Sequence, residues 1–143
     1  MSDLKNTESE IAGVMEAISQ GLRNKDAAAI VAQYTPDAVL FDLAPPLAHR
    51  IDKSQLEQWL DTWDGAVSQQ LRDMKIVVRG DLAFAYGFVH VSARTKSGED
   101  AAWWMRATAC LARQDGRWKI VHEHTSVPFY MDGSFRVALD LTP

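Results

Sequence analysis

The chain has 143 residues, with 19 acidic against 15 basic side chains and a formal net charge of -4, which suits one domain and argues against two. Mildly acidic and evenly scattered charge offers no basic stripe for a phosphate backbone, so nucleic-acid binding has no support. The longest uncharged apolar run, Leu82 to Ala93, falls short of the roughly 18 residues that span a membrane. The one cysteine, Cys110, can form neither an internal bridge nor a cysteine zinc knuckle, and the start, MSDLKNTESE, is polar and acidic rather than secretory, so the expected home is the cytoplasm.

Thr7-Glu8-Ser9-Glu10 spells a capping box, followed by Ile11, Val14, Met15, Ile18 and Leu22 on one helical stripe. Asn24 can end that helix in a left-handed conformation, and Asp26 can cap a second, shorter one through Ala27, Ile30, Val31 and Tyr34, stopped by Thr35-Pro36. Ala38 to Leu43 reads as a short strand ended by Ala44-Pro45-Pro46. Ser54-Gln55-Leu56-Glu57 is a second capping box, and Leu56, Trp59, Leu60 and Trp63 give a third helix with an aromatic face, closed by Gly65.

The period then changes from 3.6 to about 2. Leu71 to Arg79, Leu82 to Thr95, Asp100 to Arg113 and Arg117 to Val127 are expected strands, and their short connections make antiparallel neighbours. Residues 1–143 are therefore read as one α+β domain, with three N-terminal helices packed on a strongly curved, mostly antiparallel sheet. Its core runs from about 8 to 127, and 128–143 form a tail.

On the second long strand the bulky set Leu82, Phe84, Tyr86, Phe88 and His90 is expected to meet the helices. On the third, Trp103, Met105, Ala107, Ala109 and Leu111 should face inward. The facing of the fourth depends on its turn. A two-residue Asp115-Gly116 hairpin puts Trp118, Ile120, His122 and His124 inside. A three-residue Gln114-Asp115-Gly116 turn with a glycine bulge, the preferred reading, puts Val121, Glu123 and Thr125 inside.

This order of elements, with the string Asp115-Gly116-Arg117-Trp118-Lys119-Ile120-Val121-His122-Glu123-His124-Thr125-Ser126 and Arg106-Ala107-Thr108 upstream, resembles the nuclear transport factor two-like superfamily. The likeness is to its SnoaL-like and ketosteroid-isomerase-like members, and the terminal string also resembles the association domain of calcium/calmodulin-dependent kinase. It covers Ile11 to Val127. The resemblance implies a cone-shaped, cystatin-like fold that holds a small apolar molecule and dimerises through the outer sheet face. The pocket would be lined by Phe41, Trp59, Trp63, Tyr86, Phe88, His90, Trp103 and Met105, a greasy make-up that suits a small-molecule site and equally suits plain core filling.

Asp42 ends the first strand where ketosteroid isomerases place their proton-moving aspartate. Such a base wants a dry pocket that raises its pKa. The two oxygen-polarising donors of those isomerases fall here on Ile18 and on Thr108 or Ala109, which cannot donate comparably, so steroid isomerisation itself is not expected. As partners for Asp42 the sequence offers His90 and Glu123, or in the other register His122 and His124. As a plain strand-end residue, Asp42 would instead cap the following turn. His-x-His could ligate a metal only with a third ligand on its face, and Glu123 alternates away, so no metal site is assigned. The His pair is as readily a cross-strand polar network. His49 shows no partner in sequence, and Arg79-Gly80-Asp81 is read as a turn.

No phosphate loop, serine-hydrolase elbow or zincin string occurs, and no cofactor is implied. Two functions are carried forward. One is a cofactor-free isomerase, cyclase or dehydratase working by acid/base chemistry on a small apolar or polyketide-like compound. The other is a non-catalytic ligand-binding or oligomerisation module. A homodimer with itself is expected in both.

Overall fold

The computed structural model describes residues 2–143. Helix α1 spans Ser2–Arg23 and runs straight through Thr7–Glu10, so the expected capping box does not start it. Asp3 lies in the first turn, where its charge favours the helix N-terminus, and nothing between it and Thr7 breaks the helix. The stripe Ile11, Val14, Met15, Ile18 and Leu22 is buried as its spacing requires. Lys25, not Asn24, takes the left-handed conformation, at φ 53°, and its Nζ donates to the Trp63 carbonyl at 2.6 Å. Asp26 caps α2, Ala27–Val31, by accepting from the Ala29 N–H at 3.1 Å.

Thr35-Pro36 does bar the helix, but the chain passes directly into strand β1, Tyr34–Phe41, because a residue before proline prefers extended backbone. Tyr34 therefore belongs to the sheet and not to the second helix. After the short β2, His49–Arg50, helix α3 covers Lys53–Asp61. Its cap is Asp52, whose carboxylate accepts from the Gln55 N–H at 2.9 Å, so Ser54 lies inside the helix. Trp63 opens β3, Trp63–Arg79, a much longer strand than Leu71 to Arg79. Its register against β4 shifts twice, between Asp64 and Ser68 and between Arg72 and Lys75, which erases the period of 2 from the sequence. Strands β4 (Leu82–Thr95), β5 (Asp100–Gln114) and β6 (Arg117–Ser126) fall within a residue of expectation.

The six strands form one curved sheet in the order β2-β1-β6-β5-β4-β3, antiparallel except for the β1/β6 pair. The helices cover one face. Ile11, Leu60, Val67, Leu111 and Ile120 are almost fully buried between the layers, each large apolar side chain contributing about 1.5–3 kcal/mol.

On β4 the facing is opposite to expectation. Ala83, Ala85, Val89 and Val91 are buried, while Leu82, Phe84 and Tyr86 are 63%, 42% and 43% exposed. The residues turned inward are small or β-branched. Gly87 is the limiting case, hemmed in by the neighbouring strand β3: an added Cβ would lie 2.4 Å from Met74 Sδ and 2.9 Å from the Arg72 carbonyl. On β5 the expected set does face inward: Ala109 and Leu111 are buried, with Trp103, Met105 and Ala107 packed against the core.

On β6 each sequence reading holds for part of the strand. Gln114 pairs with Arg117 and Leu111 with Ile120, the two-residue register, with Asp115 and Gly116 both at positive φ. The three-residue turn is therefore absent. A bulge at Val121 then moves the register, so that Cys110 pairs with His122 and Ala109 with Glu123. Trp118 and Ile120 point inward before the bulge, and Glu123 joins the inner face with Ala109 after it. In the tail, Phe129 bridges Val137, Ala138 is buried, and the Pro143 carbonyl accepts from Arg72 at 3.1 Å.

Candidate functional site

The parallel pairing of β1 with β6 sets Leu40 beside Glu123 and Phe41 beside His124. Alternation then divides the residues. Ala38 and Leu40 are buried and Asp42 follows them on the inner face, whereas Val39 and Phe41 point outward. Short β2 brings His49 opposite Leu40, and so onto the face of Asp42.

His49 Nε2 lies 2.5 Å from Asp42 Oδ2, and its Nδ1 lies 2.9 Å from the Arg50 carbonyl oxygen. Both ring nitrogens thus face acceptors, which an imidazolium satisfies while Asp42 is ionised. Burial pulls the imidazole below its ordinary range, but the hydrogen bonds to Asp42 and Arg50 outweigh it and hold the pKa above that range. Asp42 itself is not in a dry pocket, since its side chain is 36% exposed. Its surroundings are those of an ion-paired carboxylate at the rim.

Deeper in, the buried Tyr34 hydroxyl donates to Glu123 Oε2 at 2.6 Å. Burial pushes the Glu123 carboxyl up, the Tyr34 bond pulls it partly back and the Asp42 charge adds to the rise, leaving it at about 7. Burial, then the Glu123 charge, holds Tyr34 well above the tyrosine range. Glu123 keeps partial access to solvent. The four groups grade from an exposed ion pair to an uncharged buried phenol, with Glu123 between.

Beside Asp42 opens an apolar recess of about 590 Å³, bordered by Phe41, residues 42–48 and His124. That volume is within the range of small-molecule sites. Of the residues expected to line a pocket, Phe41 borders it. Trp59, Trp63 and Trp103 instead form an aromatic chain with ring centres 6.1 and 6.2 Å apart. Trp63, Trp103 and Met105 pack against the core, and the indole N–H groups of Trp63 and Trp103 are buried without a partner among the described residues.

Tyr86, Phe88 and His90 lie on the outer sheet face, where His90 packs on Trp104 at 4.8 Å. The inverted facing of β4 therefore removes these three from the inner layer. His122 and His124 also point outward, edge-on to Phe41 at 4.7 and 5.3 Å, and the Val39 carbonyl faces His122 Nδ1 at 2.7 Å. Among the described residues no three His, Cys, Asp or Glu side chains converge as metal ligands. The structure thus brings Asp42 and Glu123 together and adds His49 and Tyr34, which sequence reasoning had set in an unpartnered loop and a helix. Thr35-Pro36 was the available signal for Tyr34.

A SnoaL-like domain model matches residues 11–130, and the chain belongs to that family, within the nuclear transport factor two-like superfamily. A solved NTF2-like protein of unknown function from Pseudomonas putida KT2440 is 30% identical over 97% of this chain and 98% of that one, with a TM-score of 0.84. A protein provisionally called a scytalone dehydratase, from Novosphingobium aromaticivorans DSM 12444, is 20% identical over 96% and 95% of the two chains, with a TM-score of 0.79. One provisionally called a dehydratase of the NTF2-like family, from Streptomyces avermitilis, is 14% identical over 85% and 96%, with a TM-score of 0.74. The last two share the fold. Comparison with curated proteins finds no match. No helix among the described residues is long and apolar enough to cross a membrane.

Proposed function

We propose that the chain is a cofactor-independent acid/base enzyme of the isomerase, cyclase or dehydratase kind, acting on a small apolar or polyketide-like compound, with Asp42 as its base. The observation that carries this reading is the pairing of Asp42 with His49, with Asp42 bordering an apolar recess; Glu123 shares the sheet face of Asp42 and feels its charge but does not line that recess. Two carboxyl groups in unlike surroundings, one ion-paired and one desolvated, are what acid/base division of labour requires. Glu123 remains as the partner of Asp42, and His90 leaves that role because it lies on the opposite face. The dehydratase names of two fold relatives agree with this class of reaction.

Thermal-shift screening against apolar carbonyl compounds finds ligands, since a bound ligand raises the melting temperature by mass action. Turnover of a hit that falls at least 100-fold in Asp42→Asn supports the assignment, and unchanged turnover overturns it. Catalysis by a positioned base is worth about 10²–10⁴-fold.

We propose further that two copies pair through the outer sheet face. Leu82, Phe84 and Tyr86 are exposed there, and Phe84 stacks on Tyr86 at 6.1 Å. Contiguous apolar surface of this kind marks interaction sites. A monomer by sedimentation at micromolar concentration counts against the pairing. The proposed location is the cytoplasm, on the strength of the single thiol of Cys110.

A further inference from the structure

The outer sheet face is stepped. Register sets Arg72, Phe88, Arg106 and Ser126 in one row across β3, β4, β5 and β6. The tail leaves the sheet at Ser126, and the Pro143 carbonyl accepts from Arg72 at 3.1 Å, at the other end of that row. Arg72 points outward, since its guanidinium lies over the Trp104 ring at 4.5 Å. Residues 128–143 therefore cross the outer face and raise a ledge on it. The ledge is a hairpin, in which the Tyr130 N–H donates to the Arg136 carbonyl and the Ala138 N–H to the Pro128 carbonyl, both at 2.8 Å. Beyond it the stripe of Leu82, Phe84 and Tyr86 lies open.

The two levels differ in charge as well as height. The three register rows that hold the open stripe also carry Arg79, Lys75, Lys119, His122 and His124, and no carboxylate. None of those three cations is in an ion pair among the described residues. The ledge carries Asp132 and Asp140 against the single cation Arg136, and it exposes Met131, Phe135 and Val137. A two-fold axis that sets the ledge of one copy on the open level of the other matches apolar surface to apolar surface and acid to base, twice over. The open level also runs into the recess: Lys75, Tyr86, Thr108, His124 and Phe41 form one row, and its last two members border that recess. Leu47, on the same border, is 97% exposed. A small-molecule site encloses about 70–90% of its ligand, so a single chain leaves this one without a cover.

We propose that in a homodimer the tail of each copy, residues 128–143, seats on the open level of the other copy's outer face and closes its recess, with the hairpin tip from Met131 to Phe135 set over Leu47. The inference rests on the pairing of two copies through this face, and it makes each recess the joint product of two chains. The hairpin tip supplies the apolar cover that the border of the recess lacks, and Asp132 in that tip meets the basic row that ends at His124.

The test places the photoreactive residue benzoylphenylalanine at Leu47, a side chain exposed enough to be replaced without disturbing the fold. This chain, at natural isotope abundance, is mixed with the native chain labelled with ¹⁵N, irradiated and digested for mass spectrometry. A labelled peptide from 128–143 joined to the unlabelled Leu47 segment is expected, and such an adduct forms only between copies. In sedimentation at low salt, Lys75→Glu and Met131→Asp, both at exposed positions, are each expected to weaken association about 10-fold or more, and added salt should narrow the difference for Lys75→Glu. A dimer whose Leu47 adducts fall on another segment, or only within one chain, overturns the seating of the tail and leaves the pairing in place. Association undiminished in both variants overturns it as well. A native chain that stays monomeric at micromolar concentration overturns the seating and the pairing together. The assignment of Asp42 as base is read separately, from the turnover of Asp42→Asn.

Discussion

Tyr34 and Glu123, 89 positions apart in the chain, are joined by a 2.6 Å hydrogen bond, and the bulge at Val121 is what brings them face to face. Without it the two-residue turn at Asp115-Gly116 would carry its register unchanged through β6 and send the Glu123 carboxyl to the outer face. A single unpaired residue therefore decides whether the inner face receives the imidazoles of His122 and His124 or the carboxyl of Glu123.

That acid makes stability depend on pH. The carboxyl of Glu123 is raised from 4.5 to about 7 in the fold, so between those values the folded state binds the more protons and stability falls as pH rises. Below pH 4 both states are protonated and the cost vanishes. Above pH 7 it is complete, at about 1–3 kcal/mol allowing for partial solvent access. Urea denaturation of Glu123→Gln is expected to match native at pH 4 and exceed it at pH 8. Parallel curves for the two proteins across this range would contradict the raised carboxyl.

His49 has the opposite sign. Its pKa is held above 6.5 by Asp42 and Arg50 against the pull of burial, so the pair contributes stability that is present below that value and lost as pH rises through the folded pKa. In ¹H NMR titrations the His49 ring is expected to titrate above 6.5 in the native chain and closer to 6.5 in Asp42→Asn. Identical titration in both would mean that the pair does not persist in solution.

The meander was legible because its connections, Gly80-Asp81, Lys96 to Glu99 and Asp115-Gly116, interrupt long apolar runs with turn chemistry. Which way β4 faces was not. Both of its faces are apolar, and size pointed the wrong way: Ala83 and Ala85 go in, and Phe84 and Tyr86 go out. Asp42 was legible as a candidate from its place at a strand end, whereas Glu123 was set inward by a three-residue turn that is absent and reaches that face through the bulge at Val121 instead. Their companions depend on β2, two residues long, and on the entry to β1, neither of which carries enough residues to show a period. The start of β3 was hidden by the register shift between Asp64 and Ser68, which breaks the alternation ahead of Leu71.

Gly87→Ala is expected to destabilise the fold by about 1–3 kcal/mol, the cost of overpacking a close contact. The new methyl would meet Met74 Sδ at 2.4 Å, and also the Arg72 carbonyl and Met74 Cα, both at 2.9 Å. Because two of these neighbours are backbone, trimming the side chain with Met74→Ala should not rescue Gly87→Ala. Chemical denaturation of the two single variants and the double variant decides the matter, and a full rescue would show that only the flexible thioether is in the way.

The hairpin between β5 and β6 offers a sharp test of register, because the two candidate turns demand different backbone at Asp115. In the observed two-residue turn Asp115 is at φ 52° and Gly116 at φ 76°, both in the region that side chains other than Asn, Asp and Gly enter at a cost. In the three-residue alternative Asp115 would be right-handed and Ala there would be harmless. Asp115→Ala is therefore expected to cost about 1 kcal/mol and Asp115→Val more, while Asp115→Gly or Asp115→Asn leaves stability within about 0.5 kcal/mol of native. Gly116→Ala should cost about 1 kcal/mol in either turn and so serves as the control. If Asp115→Ala proved as stable as native while Gly116→Ala did not, the turn would have three residues. Glu123 would then reach the inner face directly, with no bulge at Val121 to place it there.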